Sequence, residues 1–356
     1  MSDVEVMPDV ALQIEGRLGI ITLNRPKALN ALTVEMAEFL GATLADWAVN
    51  PAVQAVLIRG AGERAFCAGG DVRALGTIAA PEGRRAAARR FFQAEYGLNY
   101  RINQFPKPYV ALINGVAMGG GMGLSIHGSH RVVSETLRMA MPETVLGLFP
   151  DVGATWFLSN TLGALGRYLA LVGPHLDAAD ALAVGLATHH VPAADFPALT
   201  AALAAAPQLD KAAVDDIIAA HARPAEGGTL AAHSEIDSVF GKDDLNAVLA
   251  SLDAKAPTSA WAEQAQATLR RAAPTSLLVT WRRMLDGPGQ SIGRVLEDDY
   301  RLGVRMAGAH DFAEGVRAIL VDKDQQPRWQ PADLGDVTAA QIDALFAPMA
   351  DGLRLT

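Results

Sequence analysis

The sequence is almost without cysteine and has no surplus of positive charge. Cys67 is its single cysteine, so no intrachain disulfide can form, and a reducing compartment such as the cytoplasm is the expected location. The formal net charge is −9, which argues against a nucleic-acid-binding protein, because such a protein needs a basic surface for phosphates. The charge does not exclude an anionic small ligand, since local cations and helix N-termini can bind one.

Targeting and membrane-spanning segments are not evident either. The N-terminal stretch MSDVEVMPDVAL has acidic residues and no cationic segment leading into an apolar one, which fits neither a signal peptide nor a transit peptide. One uncharged run, YVALINGVAMGGGMGLS (residues 109–125), could be mistaken for a membrane span. A span needs about 18 apolar residues, and this run contains five glycines. A buried strand, a turn and a glycine-packed helix is therefore the preferred interpretation.

Common nucleotide-binding and hydrolase motifs are missing as well. GGGMG, residues 119–123, does not fit G-x-G-x-x-G, and no G-x-x-x-x-G-K-S/T motif occurs. GLSIHG, residues 123–128, misses the G-x-S-x-G elbow of serine hydrolases by one position. His189 and His190 are adjacent and point apart, so they indicate no metal site.

What is present is an alternation of strands and helices followed by a helical region. Predicted strands are GIITL (residues 19–23), AVLIR (55–59) and YVALI (109–113). A helix is predicted over residues 33–49, with Thr33 as its cap. This alternation favours the α/β class. After about residue 195, alanine-rich segments with high helix propensity dominate, so we predict a core over residues 1–195 and a mainly helical region over residues 196–356.

Two glycine-rich segments follow predicted strands. AFCAGGDV, residues 65–72, comes after the second strand, and INGVAMGGGMGLS, residues 113–125, comes after the third. Glycine at a strand–helix junction lets backbone N–H groups approach a ligand, and two such junctions could supply two donors to a developing oxyanion. Tight packing of helix on strand also selects glycine, and the spacing does not decide between these explanations.

These segments carry a resemblance. LNRPKALNAL (residues 23–32), AFCAGGD and INGVAMGGGMGL resemble the crotonase, or enoyl-CoA hydratase/isomerase, superfamily. Within it, MPETVLGLFPDVG (residues 141–153) and HDFAEGVRAILVDKDQQPRW (residues 310–329) are similar to the 3-hydroxyisobutyryl-CoA hydrolases. The resemblance covers nearly the whole chain, and the last two segments are specific to that subfamily.

The resemblance implies a spiral of ββα units that binds the coenzyme A of an acyl-CoA substrate within the core. It places the thioester carbonyl in an oxyanion hole formed by the backbone N–H groups of Cys67 and Gly120. The Cys67 thiol then needs no chemical role and is interpreted as a small buried side chain beside the ligand.

Glu143 and Asp151 lie in an otherwise apolar stretch and are candidate catalytic residues. Taken singly, Glu143 could be a helix-dipole partner in a first turn after Pro142, and Asp151 could be an N-cap. Gly147 and Pro150 between them imply a reversal that could bring both to one pocket. The subfamily resemblance implies that both act on the thioester, with Glu143 as general base or nucleophile and Asp151 positioning water or tuning Glu143.

The hydratases of the superfamily are the first alternative. In their pattern two glutamates flank the added water, one at the position of Glu143 and one where this sequence has Gly123. The same pattern has a glycine where Asp151 stands. One carboxylate is missing and another is present, which favours hydrolysis over hydration. A non-catalytic coenzyme-A-binding protein is the third possibility.

Glu95 is a third acidic candidate. A helix is predicted over residues 84–103, and Glu95 falls on its apolar arc, near Phe91 and Ile102. A carboxylate on a buried face is costly unless it is paired or used, so a buried ion pair and a cleft edge are the structural alternatives. The resemblance places Glu95, with Gly120, Glu143 and Asp151, among the substrate-binding residues, and we interpret Glu95 as a partner of the acyl group's hydroxyl.

The expected activity is hydrolysis of 3-hydroxyisobutyryl-CoA, or another 3-hydroxyacyl-CoA, in valine catabolism. The resemblance implies no metal and no redox cofactor, since coenzyme A is part of the substrate. The acidic charge and the glycine-rich run of residues 109–125 predict no nucleic-acid and no membrane partner. The resemblance implies a possible homo-oligomer, a trimer or a multiple of it.

Overall fold

The computed structural model describes residues 7–161, 163–230 and 235–355 and shows a mixed α/β protein. Residues 1–6, part of the N-terminal stretch considered above, lie outside the described residues. The strands are β1 Val10–Glu15, β2 Leu18–Leu23, β3 Ala55–Gly60, β4 Ala65–Cys67, β5 Tyr109–Ile113, β6 Val116–Met118, β7 His130–Val133, β8 Arg138–Ala140 and β9 His189–His190. The helices are α1 Val34–Val49, α2 Val72–Gly76, α3 Pro81–Asn103, α4 Gly120–Ile126, α5 Ala154–Leu158, α6 Leu165–Val172, α7 Ala178–Ala183, α8 Phe196–Ala205, α9 Lys211–His221, α10 Ile236–Phe240, α11 Leu245–Lys255, α12 Ala260–Arg271, α13 Pro274–Asp286, α14 Ile292–Ala307, α15 His310–Val316 and α16 Ala339–Phe346.

The chain forms two compact units, each assembled from three segments. The sheet unit comprises the described residues of Met1–Gly70, Gly97–Ala140 and His175–Thr229. The helical unit comprises those of Asp71–Tyr96, Met141–Pro174 and Leu230–Thr356. Helix α3 runs across the division at residue 96. The predicted boundary after residue 195 follows composition rather than these units and stays a prediction.

The sheet unit contains two sheets. The larger has the order β1-β2-β3-β5-β7-β9, with β1 antiparallel to β2 and all later pairs parallel. The smaller is parallel, with the order β4-β6-β8. Strands β3, β5 and β7 belong to the large sheet, and the strand that follows each of them belongs to the small sheet. Each successive pair of strands therefore has the same arrangement, one strand in each sheet. This repetition, with α4 following the pair β5–β6, is the predicted spiral of ββα units.

The core of the sheet unit lies between the large sheet and helices α8 and α9. Leu57 of β3 and Val110 of β5 are fully buried with Leu203 of α8 and Ile218 of α9. Strand β5 is buried along its whole length, as expected for a parallel strand covered on both faces. The three predicted strands are confirmed as parts of β2, β3 and β5. The predicted first helix is α1, and its cap is Thr33, whose hydroxyl accepts the N–H of Met36.

The run that resembled a membrane span is a strand, a second strand and a helix. Residues 109–113 form β5, residues 116–118 form β6, and residues 120–126 form α4. The preferred interpretation is thus confirmed, although it did not include β6. Within the described residues, no helix combines the length and the apolar composition needed to cross a bilayer.

The helical unit contains α2, α5, α6 and α10–α16, together with α3 up to Tyr96. Helix α14 is its most buried long helix, and Gly303 lets it approach Phe92 of α3, because a Cβ there would lie 2.9 Å from the ring. Helix α3 begins at Pro81, earlier than predicted, since proline is well tolerated in a first turn. Every element that the described residues form after residue 195 is helical, which confirms the predicted helical C-terminal region.

Candidate active site

The two glycine-rich junctions meet within the sheet unit. Strand β4 ends at Cys67 and pairs with β6, so that Cys67 lies opposite Ala117. Helix α4 begins at Gly120, after Gly119, which has a positive φ of 47°. A Cβ on Gly121 would overlap the carbonyl oxygen of Cys67, so only glycine permits this approach of α4 to β4. The predicted donor residues, Cys67 and Gly120, are therefore brought together in one unit.

The start of α4 offers backbone donors. The first N–H groups of a helix have no acceptor within the helix, and the N–H of Gly123 is the one that reaches back to Gly119 O, at 3.1 Å. Gly120 lies three residues before Gly123, among the first residues of the helix, whose N–H groups have no acceptor within it. Its use as an oxyanion donor stays a prediction, and so does that of Cys67. The Cys67 side chain is fully buried, with its sulfur 3.7 Å from the carbonyl oxygen of Gly69.

The segment LNRPKALNAL holds the loop around Cys67 in place. Asn30 is fully buried and has a positive φ of 56°. Its side-chain amide donates to Ala61 O at 3.0 Å and to Ala65 O at 2.9 Å, while its oxygen accepts the N–H of Arg25 at 2.9 Å. The N–H of Ala68 donates to Leu29 O at 3.0 Å. These bonds fix the backbone immediately before and after Cys67, which is a physical reason for this motif.

The predicted acidic residues come together in the helical unit. Glu143 opens a 3₁₀ turn after Pro142, and that turn ends at Gly147, whose φ is 73°. Asp151 precedes α5 but does not cap it, because the cap residue is Gly153 and no side chain bonds the cap amides. The simple structural explanations for both residues therefore weaken: Glu143 starts only a short 3₁₀ turn, and Asp151 is not an N-cap.

Burial and mutual repulsion dominate the electrostatics of this cluster. Glu95 is 2% exposed, and burial, then the charges of Asp151 and Glu143, raise the pKa of its carboxyl well above its usual value. Burial and the charge of Asp151 likewise raise the pKa of Glu143. Burial raises the pKa of Asp151 to about 7, although a hydrogen bond from Tyr96 opposes the rise. Burial and mutual repulsion therefore disfavour the state in which all three carboxyls are ionised.

Two of these carboxyl groups have an oxygen whose hydrogen-bonding capacity the described residues leave unused. Among the described residues, neither Glu95 Oε1 nor Glu143 Oε2 has a hydrogen-bond partner, although both atoms are buried. A buried oxygen without a partner costs about 1–3 kcal/mol. Of the described residues, those whose charges act on the Glu95 carboxyl are the acidic Asp151 and Glu143, which argues against a buried ion pair as its explanation. The arrangement is suited to a polar ligand that completes these hydrogen bonds.

Three supporting residues were not identified from the sequence. The Tyr96 hydroxyl donates to Asp151 Oδ2 at 2.5 Å, and the Tyr96 ring stacks on Phe92 with centroids 5.2 Å apart. Asp299 accepts the N–H of Gly153 at 2.9 Å and pairs with Arg283 at 2.7 Å. A helical wheel of residues 292–307 would have shown Asp299 on the apolar face, as it showed Glu95 on α3. The partnership with Arg283 leaves no such sequence signal.

The sequence and the fold are similar to those of known proteins. A model of the enoyl-CoA hydratase/isomerase family matches residues 18–346. A Xenopus tropicalis protein called "3-hydroxyisobutyryl-CoA hydrolase, mitochondrial" is 42% identical over 342 residues, which cover 94% of this chain and 88% of that protein. The Homo sapiens protein of the same name is 39% identical over 344 residues, 95% of this chain and 88% of the relative.

Two solved structures have nearly the same fold over the same length. A structure called a carnitinyl-CoA dehydratase from Mycobacterium thermoresistibile has a TM-score of 0.89 and 39% identity, covering 98% of each chain. A structure called an enoyl-CoA hydratase from Rhodobacter sphaeroides has a TM-score of 0.87 and 39% identity, covering 98% of this chain and 100% of that one. The similarity in each case extends over the whole chain rather than over one segment.

Proposed function

The chain belongs to the enoyl-CoA hydratase/isomerase family, and we propose that it hydrolyses a 3-hydroxyacyl-CoA thioester, with 3-hydroxyisobutyryl-CoA as the preferred substrate. The products are 3-hydroxyisobutyrate and free coenzyme A. The curated relatives named for this hydrolysis match the chain almost end to end. The two similar solved structures are named as a dehydratase and a hydratase, so the choice between hydrolysis and hydration depends on the residues of the site.

The observation that carries the proposal is the pairing of Glu143 with Asp151. Both carboxyls are buried, and the charge of Asp151 raises the pKa of Glu143. The hydratase pattern has no carboxylate at the position of Asp151, and it has one where this chain has Gly123 on α4. The acidic groups thus fit a thioesterase better than an enzyme that adds water across a double bond.

In the proposed reaction the backbone N–H groups of Cys67 and Gly120 polarise the thioester carbonyl. Glu143 acts in one of two ways. As a general base it takes a proton from water, the water oxygen attacks the carbonyl carbon, and the C–S bond breaks as the proton passes to the coenzyme A thiolate. As a nucleophile it forms an anhydride with loss of that thiolate, and water then cleaves the anhydride. Burial and the charge of Asp151 raise the pKa of Glu143, and a carboxylate of higher pKa is a stronger base for the first route.

Asp151 and Glu95 are given supporting roles. Asp151 positions the water or tunes Glu143, and its pKa of about 7 lets it change protonation state near neutral pH. Glu95 hydrogen-bonds the 3-hydroxyl of the acyl group through Oε1, the oxygen for which the described part of the chain supplies no partner. Glu95, Gly120, Glu143 and Asp151 together are the proposed substrate-binding residues.

The biological setting is also part of the proposal. We place the reaction in valine catabolism, without a metal or redox cofactor, with an acyl-CoA as the ligand and with no nucleic-acid or membrane partner. A homo-oligomer, a trimer or a multiple of it, is the proposed assembly. Location in the cytoplasm stays a prediction from the single cysteine, and the curated relatives are called mitochondrial.

The test gives the purified protein 3-hydroxyisobutyryl-CoA and, separately, crotonyl-CoA. Free thiol is followed with a disulfide dye, and the enoyl absorbance is followed in parallel. Hydrolysis releases the thiol of coenzyme A, whereas hydration leaves the thioester intact and removes the double bond. We expect thiol release from the hydroxyacyl substrate and little loss of enoyl signal. Rapid hydration of crotonyl-CoA without thiol release would establish the alternative, an enoyl-CoA hydratase, and binding without either reaction would indicate a coenzyme-A-binding protein.

A further inference from the structure

We propose that Tyr96 and Asp299 are positioning residues for Asp151, Tyr96 by holding its carboxylate and Asp299 by holding the backbone turn that carries it. This inference rests on the proposed function, because it concerns the working state of a carboxylate assigned to thioester hydrolysis. All the residues involved lie in the helical unit.

Asp151 lies at the start of an unfavourable turn. Val152 and Gly153, the two residues after it, have φ values of 49° and 83°. A positive φ is uncommon for any residue with a Cβ and is a clear outlier for β-branched valine, with a cost of about 1–3 kcal/mol. The N–H of Ala154 closes the turn by donating to Asp151 O at 2.8 Å. A turn of this kind persists only where its surroundings hold it.

Asp299 holds this turn through the backbone. Its Oδ2 accepts the N–H of Gly153 at 2.9 Å, and its Oδ1 accepts from the guanidinium of Arg283 at 2.7 Å. Asp299 is fully buried, and Arg283 is almost so. Arg283 also donates to Val295 O at 3.1 Å and to Asp298 Oδ2 at 3.3 Å, which ties α13 to α14. Arg283 therefore fixes the orientation of Asp299 through Oδ1, while Oδ2 accepts from the turn.

Stability alone is a weak explanation for such an ion pair. Moving two charges out of water costs several kcal/mol per ion, and well-packed apolar residues often serve stability as well or better. The carboxylate of this pair, Asp299, is also the acceptor for the N–H of Gly153 in the Asp151 turn. A role in positioning accounts for both its burial and its location.

Tyr96 holds the side chain of Asp151 directly. Its hydroxyl donates to Oδ2 at 2.5 Å, and its ring is fully buried against Phe92, so the phenol has little freedom to turn away. The bond stabilises the ionised form of Asp151 and opposes the rise of its pKa caused by burial. It also holds Oδ2 in one orientation, so that the carboxylate meets the water or the substrate in a fixed position.

Tyr96 and Asp299 shift the pKa of Asp151 in opposite directions. Glu95 and Tyr96 face it from α3, Glu143 from the preceding 3₁₀ turn, and Asp299 from α14. Arg283 on α13 and Asp298 on α14 act through Asp299. The hydrogen bond of Tyr96 lowers the pKa of Asp151, and the negative charge of Asp299 raises it. Removing each support should therefore displace the titration of Asp151 in a different direction.

The test compares Tyr96→Phe with Asp299→Asn. Tyr96→Phe should move the titration of Asp151 to higher pH, whereas Asp299→Asn should move it to lower pH, since it deletes the negative charge but keeps an acceptor for Gly153. The acidic limb of kcat/KM for thiol release should move with each, and Tyr96→Phe should lose about tenfold in kcat/KM at pH 7. Direct titration of ¹³C-aspartate-labelled protein, with Asp151→Asn to assign the signal, follows Asp151 without any substrate.

Tyr109→Phe is the matched control. It removes another buried phenol hydrogen bond, the 3.0 Å donation from Tyr109 to Leu124 O in the sheet unit. It should lower stability without displacing the titration of Asp151. If Asp299→Asn does not fold, the direction of the shift in Tyr96→Phe still decides for or against the role of Tyr96. Arg283→Lys, which keeps Asp299 and a cation beside it, is then used in place of Asp299→Asn and should leave the titration of Asp151 near wild type.

The outcomes separate this inference from the proposed function. Displaced titration of Asp151 without thiol release from any hydroxyacyl-CoA would keep the positioning role and refute the hydrolase. Thiol release with an unmoved titration in both variants would keep the hydrolase and overturn the positioning role. Equal losses of activity and stability with shifts of the same sign would show a purely structural cluster, and would also overturn it.

Discussion

In the sheet unit the groups proposed for catalysis are backbone amides, those of Cys67 and Gly120, whereas in the helical unit they are the side-chain carboxyls of Glu143 and Asp151. The first pair is set by glycines that permit a close approach of α4 to β4. The second is set by burial, by a tyrosine hydroxyl and by a buried ion pair. The two regions should therefore be sensitive to different kinds of mutation. The sheet unit should lose activity when a side chain is added at a glycine, and the helical unit when the chemistry of a carboxyl side chain is changed.

The largest effect is expected for Gly121→Ala. The added Cβ would overlap the Cys67 carbonyl oxygen, so α4 or β4 must move and the donors lose their alignment. Loss of one oxyanion donor reduces turnover by about 10²–10³-fold. Steady-state thiol release measures this loss, and circular dichroism checks folding. Gly41→Ala on α1, where a Cβ meets nothing within 4 Å, is the control and should be nearly neutral. Wild-type turnover in a folded Gly121→Ala protein would contradict the assignment of this junction.

Glu143→Gln is the corresponding test of the helical unit. It keeps the shape of the side chain and removes its charge, and loss of an acid, base or nucleophile reduces turnover by about 10²-fold or more. Binding of an acyl-CoA, measured by calorimetry, should stay near wild type. Glu263→Gln on α12 changes an exposed glutamate in the same unit and should leave both quantities unaltered. Near-normal turnover of a folded Gln variant would remove Glu143 from the mechanism.

Glu95→Ala should impair hydroxylated substrates selectively. A hydrogen bond lost to a buried hydroxyl costs about 1–3 kcal/mol, so kcat/KM for a 3-hydroxyacyl thioester should fall more than that for the plain acyl thioester of the same length. The two values are measured side by side with one enzyme preparation. Equal losses on both substrates would mean that Glu95 supports the fold or the general site.

Glu95→Gln should change how stability depends on pH. The pKa of Glu95 is higher in the folded than in the unfolded protein, so its contribution to stability is complete below the unfolded value and is lost as pH rises through the folded value. Each such group has a slope of at most about 1.4 kcal/mol per pH unit. The Gln variant does not titrate and lacks this loss. Its free energy of unfolding in urea, relative to that of wild type, should therefore increase from acidic to alkaline pH. A constant difference across that range would show that Glu95 does not titrate in this window.

The sheet unit was easier to predict from sequence because its signals are local. Glycine runs after apolar strands mark the junctions at Cys67 and Gly120 without knowledge of distant residues. What the sequence did not show was the small sheet, since β4, β6 and β8 have only three residues each and offer no periodicity. In the helical unit Glu95 was found from its place on an apolar arc.

The rest of the carboxyl cluster depends on contacts between residues far apart in the chain. Tyr96 reaches Asp151 across 55 positions, and Asp299 reaches Gly153 across 146. The turn after Asp151 requires a valine at positive φ, which no local propensity favours. Such an arrangement exists because tertiary packing holds it, and the residues that do so carry no motif of their own.

The smallest effect is expected for Cys67→Ala, in the unit that acts through its backbone. The thiol is buried and contacts Gly69 O at 3.7 Å, a weak bond whose loss costs little, and the backbone N–H of residue 67 is unaffected by the change. Turnover should stay within a few-fold of wild type, because the group assigned to the oxyanion is still present. The same assay gives the result, with ligand binding and thermal unfolding as checks on the protein. A folded alanine variant that binds acyl-CoA and does not turn over would make the thiol a chemical group, and the contrast between a backbone-based and a side-chain-based region would fail at its simplest point.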